Sequence, residues 1–177
     1  MEMVILVDEK DNEEGSMEKM EAHVRGVKHR AFSVFVFDSE GRLLLQRRAL
    51  DKYHSGGLWT NTCCSHPRPD ETSIGGAHRR LIEEMGFDAE LEHAFELSYE
   101  VRFDSGVWEN EYDHVFVGWY DGNYGIDSNE VHEARWIPIP ELRAMIVSEP
   151  QVFTHWFRLI MENEGFLRHI ENMGISI

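Results

Sequence analysis

The alternation of apolar and polar positions divides the chain into recognisable elements. Val4 to Val7 is a short apolar run, and the acidic stretch from Asp8 to Glu21 shows no period, so it reads as a loop or surface element that packs little. Phe32–Phe37 and Arg42–Gln46, separated by Asp38-Ser39-Glu40-Gly41, predict a β-hairpin. From Glu71 to Met85, Ile74, Ala77, Leu81 and Met85 recur at helical spacing, with Asp70 or Thr72 to cap the start and Gly86 to end it. Gly75 and Gly76 weaken that helix by about 1 kcal/mol each relative to alanine, which suggests that another backbone or a ligand approaches there. Strand-rich stretches at Ala94–Phe103 and Trp108–Tyr120 flank Asp104-Ser105-Gly106, a second hairpin, and Val131–Ile137 predicts a further strand. Pro138 and Pro140 open a short helix over Glu141–Val147, and Pro150 precedes one long helix from about Val152 to Met173. Without repeats or a dividing linker, residues 1–177 read as one domain, an α/β fold with a mixed sheet of the α+β or sandwich kind.

Composition narrows the function. Hydrophobic residues make up 42% of the 177 positions, enough to build a core. The formal net charge of −16, with only four lysines and thirteen arginines, argues against nucleic acid as a partner. Cys63 and Cys64 are adjacent, and a disulfide between them would constrain almost nothing, so both read as free thiols in a reducing compartment. With no basic leader and no run of eighteen apolar residues, a cytoplasmic chain without membrane contact is expected, as a monomer or weak homodimer.

The residues that carry chemistry cluster between Trp59 and Gly86. An extended chain before Pro67 sets Cys64 and His66 on one side and Cys63 and Ser65 on the other. Taken alone, both cysteines read as small core residues. On the helix, Arg79 and Glu83, and Arg80 and Glu84, are four apart, which alone describes a salt-bridged surface. The spacing changes that reading. From Ser65, five residues lead to Glu71 and seven more to Arg79, followed by Arg80, Leu81, Ile82, Glu83, Glu84, Met85, Gly86 and Phe87. Segment 65–87 resembles the Nudix box, with Ser65 in place of its glycine and Arg80 in place of a glutamate. Exchanging a metal-binding carboxylate for a guanidinium removes a ligand and adds a fork suited to phosphate.

With Trp59-Thr60-Asn61, Cys64-x-His66-Pro67 and Glu109-Asn110-Glu111 added, the chain from about Lys19 to Trp156 resembles the type I isopentenyl-diphosphate isomerase branch of the Nudix superfamily. The resemblance implies a Nudix-like α/β/α sandwich with additional N- and C-terminal elements. It implies Cys64, Glu111 and Tyr99 as catalytic groups, with Cys64 acting as a thiolate. It implies His23, His29, His66, Glu109 and Glu111 as ligands of one Mn²⁺ or Zn²⁺, a mixed nitrogen and oxygen set that suits a borderline ion. It also implies Glu84 as holder of a Mg²⁺ bridging the substrate's phosphates, with Lys19, Arg48, Lys52 and Arg80 around the diphosphate and Trp156 over the hydrocarbon. The implied reaction converts isopentenyl diphosphate to dimethylallyl diphosphate. A Nudix hydrolase acting on a nucleoside diphosphate derivative, and an inactive Nudix-fold binding domain, are the rival readings.

Overall fold

The computed structural model describes residues 2–177. Strand β1 (Met3–Val7) pairs antiparallel with β2 (Glu13–Glu18), and helix α1 (Lys19–Arg25) follows at once. The stretch read as a loop or surface element that packs little is thus largely a surface strand and the start of a helix. Its sequence could not announce this, because β2 is a solvent-facing edge strand whose Glu13, Glu14, Gly15 and Ser16 bury nothing. Backbone pairing to the apolar β1 holds it instead.

At the centre lies β3 (His29–Phe37), buried along almost its whole length. On one edge it runs parallel to β8 (Trp108–Trp119) from His29↔Glu111 to Phe37↔Trp119. Its other edge is shared by β1 at His29, β6 (Cys63–Ser65) at Phe32 to Val34, and β4 (Arg42–Arg48) at Phe37. Strands β5 (Trp59–Thr60) and β9 (Val131–Pro138) pair with β4, and β7 (Leu91–Arg102) pairs antiparallel with β8. The expected hairpin forms between β3 and β4: the Asp38 carboxylate accepts from the backbone of Glu40 and Arg42, and Gly41 takes φ +73°.

Alternation along β3 explains why both its faces are apolar. Phe32, Val34 and Val36 pack with Ala77, Leu81 and Met85 of α2 (Ser73–Met85). Phe35 and Phe37 pack on the other face with Leu142 of α3 (Ile139–Ser148), Phe157 and Ile160 of α4 (His155–Glu162), and Phe166 and Ile170 of α5 (Glu164–Asn172). The result is the expected α/β/α layering. Thr72 caps α2 and Gly86 ends it at φ +72°. A Cβ at Gly76 would lie 2.8 Å from the Phe32 ring and 3.2 Å from Pro67 Cα, so the close approach inferred there comes from the cysteine-bearing segment. Ile74, assigned above to the apolar face, is instead exposed.

The single C-terminal helix expected over 152–173 is two helices. A 3-10 turn at Pro150–Val152 precedes α4, and Asn163 leaves the helical region at φ −77°, ψ 116°. Its side chain accepts from Phe166 N at 3.1 Å, capping α5. A straight helix of that length would extend roughly 30 Å. The break lets Phe157 and Phe166 both return to the same core.

Candidate active site and metal centre

Three neighbouring elements bring the histidines together. α1 carries His23, the start of β3 carries His29 and the segment after β6 carries His66, with ring centroids 4.7 to 5.5 Å apart. Parallel pairing of β3 with β8 puts Glu111 directly opposite His29. One ligand atom from each of His23, His29, His66 and Glu111 falls within 4.8 Å of the others, and all four residues are buried.

Hydrogen bonds orient the rings. His23 Nδ1 donates to Trp108 O and His29 Nδ1 to Val27 O, each at 2.8 Å, so both Nε2 atoms carry lone pairs toward the group. His29 Nε2 has no hydrogen-bond partner and lies 3.5 Å from Glu111 Oε1. His66 Nε2 donates to Glu111 Oε1 at 2.8 Å, while its buried Nδ1 has none. Burial pushes His23 down to about 4 and His66 down to about 3, so both rings are neutral near pH 7. Orphaned buried nitrogens beside a carboxylate are the donor set a borderline divalent cation needs.

Glu109 differs from the expectation in its partner. It sits beside this group, 3.7 Å from His23 Nδ1, but its Oε1 meets His54 Nε2 at 2.5 Å. Burial and the neighbouring Glu111 push Glu109 well above the usual carboxylate range. Burial also opposes ionisation of Glu111, but the hydrogen bond it accepts from His66 helps outweigh this, and that carboxylate is held well below its ordinary value. On its other oxygen, Glu111 accepts from the Tyr99 hydroxyl at 2.5 Å, and burial keeps this phenol protonated.

A cleft opens above the group. Cys64, Tyr99, Glu109 and Glu111 line it with Lys19, Arg48, Lys52, Arg80, Glu84 and Trp156, so every residue implied for proton transfer or diphosphate contact reaches one space. Cys64 faces the cleft and Cys63 the core under α2, as the extended register requires. Both are free thiols. A standing thiolate at Cys64 is not what the ligand-free site holds: burial pushes this thiol up to about 12, with Arg48 acting in the opposite direction.

The cations are less free than their spacing suggested. Lys19 pairs with Glu2 at 3.1 Å. Lys52 pairs with Glu130, and Arg80 reaches Glu130 at 3.1 Å and Glu84 at 2.5 Å. The second Glu84 oxygen accepts from Gln46 at 2.9 Å. Arg48 lies 5.3 Å over the Trp156 ring, the face implied for hydrocarbon. Tyr53, His54, Gln46 and Glu130 are among the cleft residues that sequence reasoning missed. His54, two positions after Lys52 in a Gly-Gly loop, was the one legible signal among them.

Comparison with known proteins identifies the family. The NUDIX domain family model matches residues 27–157. The chain is 52% identical to the isopentenyl-diphosphate Delta-isomerase of Burkholderia multivorans, over 93% of each chain. It is 49% identical to isopentenyl-diphosphate Delta-isomerase 2 of Aromatoleum aromaticum, over 99% of this chain and 93% of that one. Among solved structures, a Deinococcus radiodurans protein superposes with a TM-score of 0.70 at 18% identity, covering 84% of this chain and 90% of that one. The MutT protein of Methanosarcina mazei superposes with 0.65 at 19% identity, covering 82% and 95%. These two likenesses concern the fold alone. The family match spans most of the chain and the sequence relatives span nearly all of both partners, so the chain belongs to the NUDIX family and, within it, to the isopentenyl-diphosphate Delta-isomerases.

Proposed function

We propose that this chain is an enzyme that isomerises isopentenyl diphosphate to dimethylallyl diphosphate. The observation that carries the reading is the meeting, in one cleft, of a thiol, a Tyr99–Glu111 pair, four cationic side chains and an indole ring. A proton added to the terminal alkene carbon gives a tertiary carbocation, and a proton lost from the neighbouring methylene gives the product. No water enters and no phosphate leaves.

An unactivated alkene is a very weak base, so a positioned acid must meet it where water is excluded. Tyr99 and Glu111 supply or relay the first proton, and Cys64 takes the second. This order needs the Cys64 proton to leave before turnover, and Arg48 beside the thiol favours that. The Trp156 ring stabilises the transient cation, a contact worth about 2 kcal/mol when desolvated. Lys19, Arg48, Lys52 and Arg80 hold the diphosphate, which fixes the short hydrocarbon in place. For Lys52 and Arg80 this means sharing with, or release from, Glu130.

His23, His29, His66, Glu109 and Glu111 would hold one Mn²⁺ or Zn²⁺, and Glu84 would hold a Mg²⁺ that supplies positive charge to the diphosphate. Such ions would offset carboxylate charge and would help keep Glu111 in its working position. Purified protein incubated with isopentenyl diphosphate and Mg²⁺ should form dimethylallyl diphosphate without releasing phosphate. Release of phosphate without isomer would mean a hydrolase, and no turnover in metal-replete protein would mean a binding domain.

A further inference from the structure

A second group of ligand-bearing side chains lies outside the cleft. One atom from each of His93, Glu96 and His114 falls within 4.8 Å of the others. Residues 93 and 96 of a regular strand would point to opposite faces. A β-bulge between His93 and Phe95 inserts one extra residue in β7, so His93 stands opposite Phe116 while Glu96 stands opposite His114. Phe116 and His114 share a face of β8, and all three candidate ligands therefore project together.

Two of the three ligand atoms, those of His114 and Glu96, are the free ends of groups anchored elsewhere. His114 Nε2 donates to Asp11 Oδ2 at 2.9 Å, and Arg30 Nε holds the other Asp11 oxygen at 2.7 Å. That contact fixes the ring proton on Nε2 and leaves the Nδ1 lone pair facing Glu96 Oε1, 3.7 Å away. Glu96 Oε2 accepts from the Tyr112 hydroxyl at 2.5 Å, which turns Oε1 toward both histidines. His93 Nε2 lies 3.6 Å from Oε1. These gaps are too long for hydrogen bonds. They match a shared ion, because two ligands at about 2.0–2.1 Å from a tetrahedral Zn²⁺ lie about 3.4 Å apart.

We propose that His93, Glu96 and His114 form a second, surface-accessible site for a borderline divalent cation of the Zn²⁺ class. Two imidazoles and one carboxylate select that class over Mg²⁺, and the half-exposed His93 and Glu96 give an ion access from solvent. The site shares no residue with the interior group. It would tie β7 to β8, the hairpin that carries Tyr99 and Glu111.

The test is equilibrium dialysis of the metal-stripped full chain against ZnCl₂, with bound zinc counted by atomic emission. Wild type should bind one equivalent more than His93→Ala, and the near-isosteric Glu96→Gln should lose the same equivalent. Isomerase activity with Mg²⁺ and far-UV circular dichroism should be unchanged in both variants. That separates loss of this ion from misfolding and from failure of the proposed activity. Equal zinc content in wild type and both variants would overturn the proposal.

Discussion

Replacing the two adjacent cysteines one at a time tests the register on which the mechanism depends. Cys63 is fully buried among Val34, Leu81 and Met85 beneath α2, whereas Cys64 faces the cleft. Removing the Cys63 sulfur leaves a small cavity, and the loss of so few buried atoms costs about 1–2 kcal/mol. In a chain of this size each kcal/mol lowers Tm by about 2–4 °C. Cys63→Ala should therefore melt about 2–8 °C lower with kcat/KM unchanged within about twofold. Under the proposed mechanism, Cys64→Ala removes a group that moves a proton, an effect of about 10²–10⁴ in rate. That is about 3–5 kcal/mol of barrier. The assay is steady-state conversion of isopentenyl diphosphate, with melting curves on the same samples. A supporting measurement uses metal-free protein, where burial sets the thiol at about 12 instead of its ordinary 9.0. At pH 8 it carries about a thousandfold less thiolate than an exposed cysteine, so inactivation by iodoacetamide should rise about tenfold per pH unit. Equal loss of activity in the two alanine variants, or a greater loss from Cys63→Ala, would refute the assigned faces.

Asp113 is buried, with one oxygen accepting from Ser33 at 2.8 Å and the other unpartnered, and burial pushes it up to about 8. It is protonated in the folded chain but ionised when unfolded, so it costs stability as pH rises from the ordinary 3.8 toward 8. Asp113→Asn should make the decline between pH 6.5 and 8 in metal-free protein shallower by up to about 1.4 kcal/mol per pH unit in urea titrations; an unchanged slope would mean the carboxyl is ionised in the fold. Glu130 lies between Lys52 and Arg80, so Glu130→Gln should tighten binding of inorganic diphosphate by calorimetry. Weaker binding would mean that Glu130 organises these cations for the ligand. Asn163→Ala removes the α5 cap and should cost about 1 kcal/mol. A melting temperature unchanged from wild type would mean that packing of Phe157 and Phe166 alone sets the break.

Much of the architecture was legible because its elements bury one face each. The 32–46 hairpin, the capped helix ending at Gly86 and the 94–120 hairpin follow from alternation, 3.6-residue spacing and turn residues, all local properties. The residues expected for proton transfer and diphosphate contact were legible for another reason: their types and spacings matched a family pattern, and they line one cleft. Segment 8–21 was not legible, since Glu13 to Ser16 form a strand only through backbone bonds to β1, to which side-chain pattern is blind. Nor was the break at Asn163, where two helices each pack on a core assembled from distant strands.

The sequence by itself determined the register that parts Cys64 from Cys63, because alternation in an extended segment is set within a few residues along the chain. Only the tertiary structure decided the partners of the charged groups: Glu109 on His54, Glu130 on Lys52 and Arg80, Tyr99 on Glu111. It also decided protonation, holding the Cys64 thiol neutral and splitting the two glutamates of β8 in opposite directions. Desolvation and ion pairing depend on what surrounds a side chain in space, and those neighbours come from elements that lie far apart in the chain.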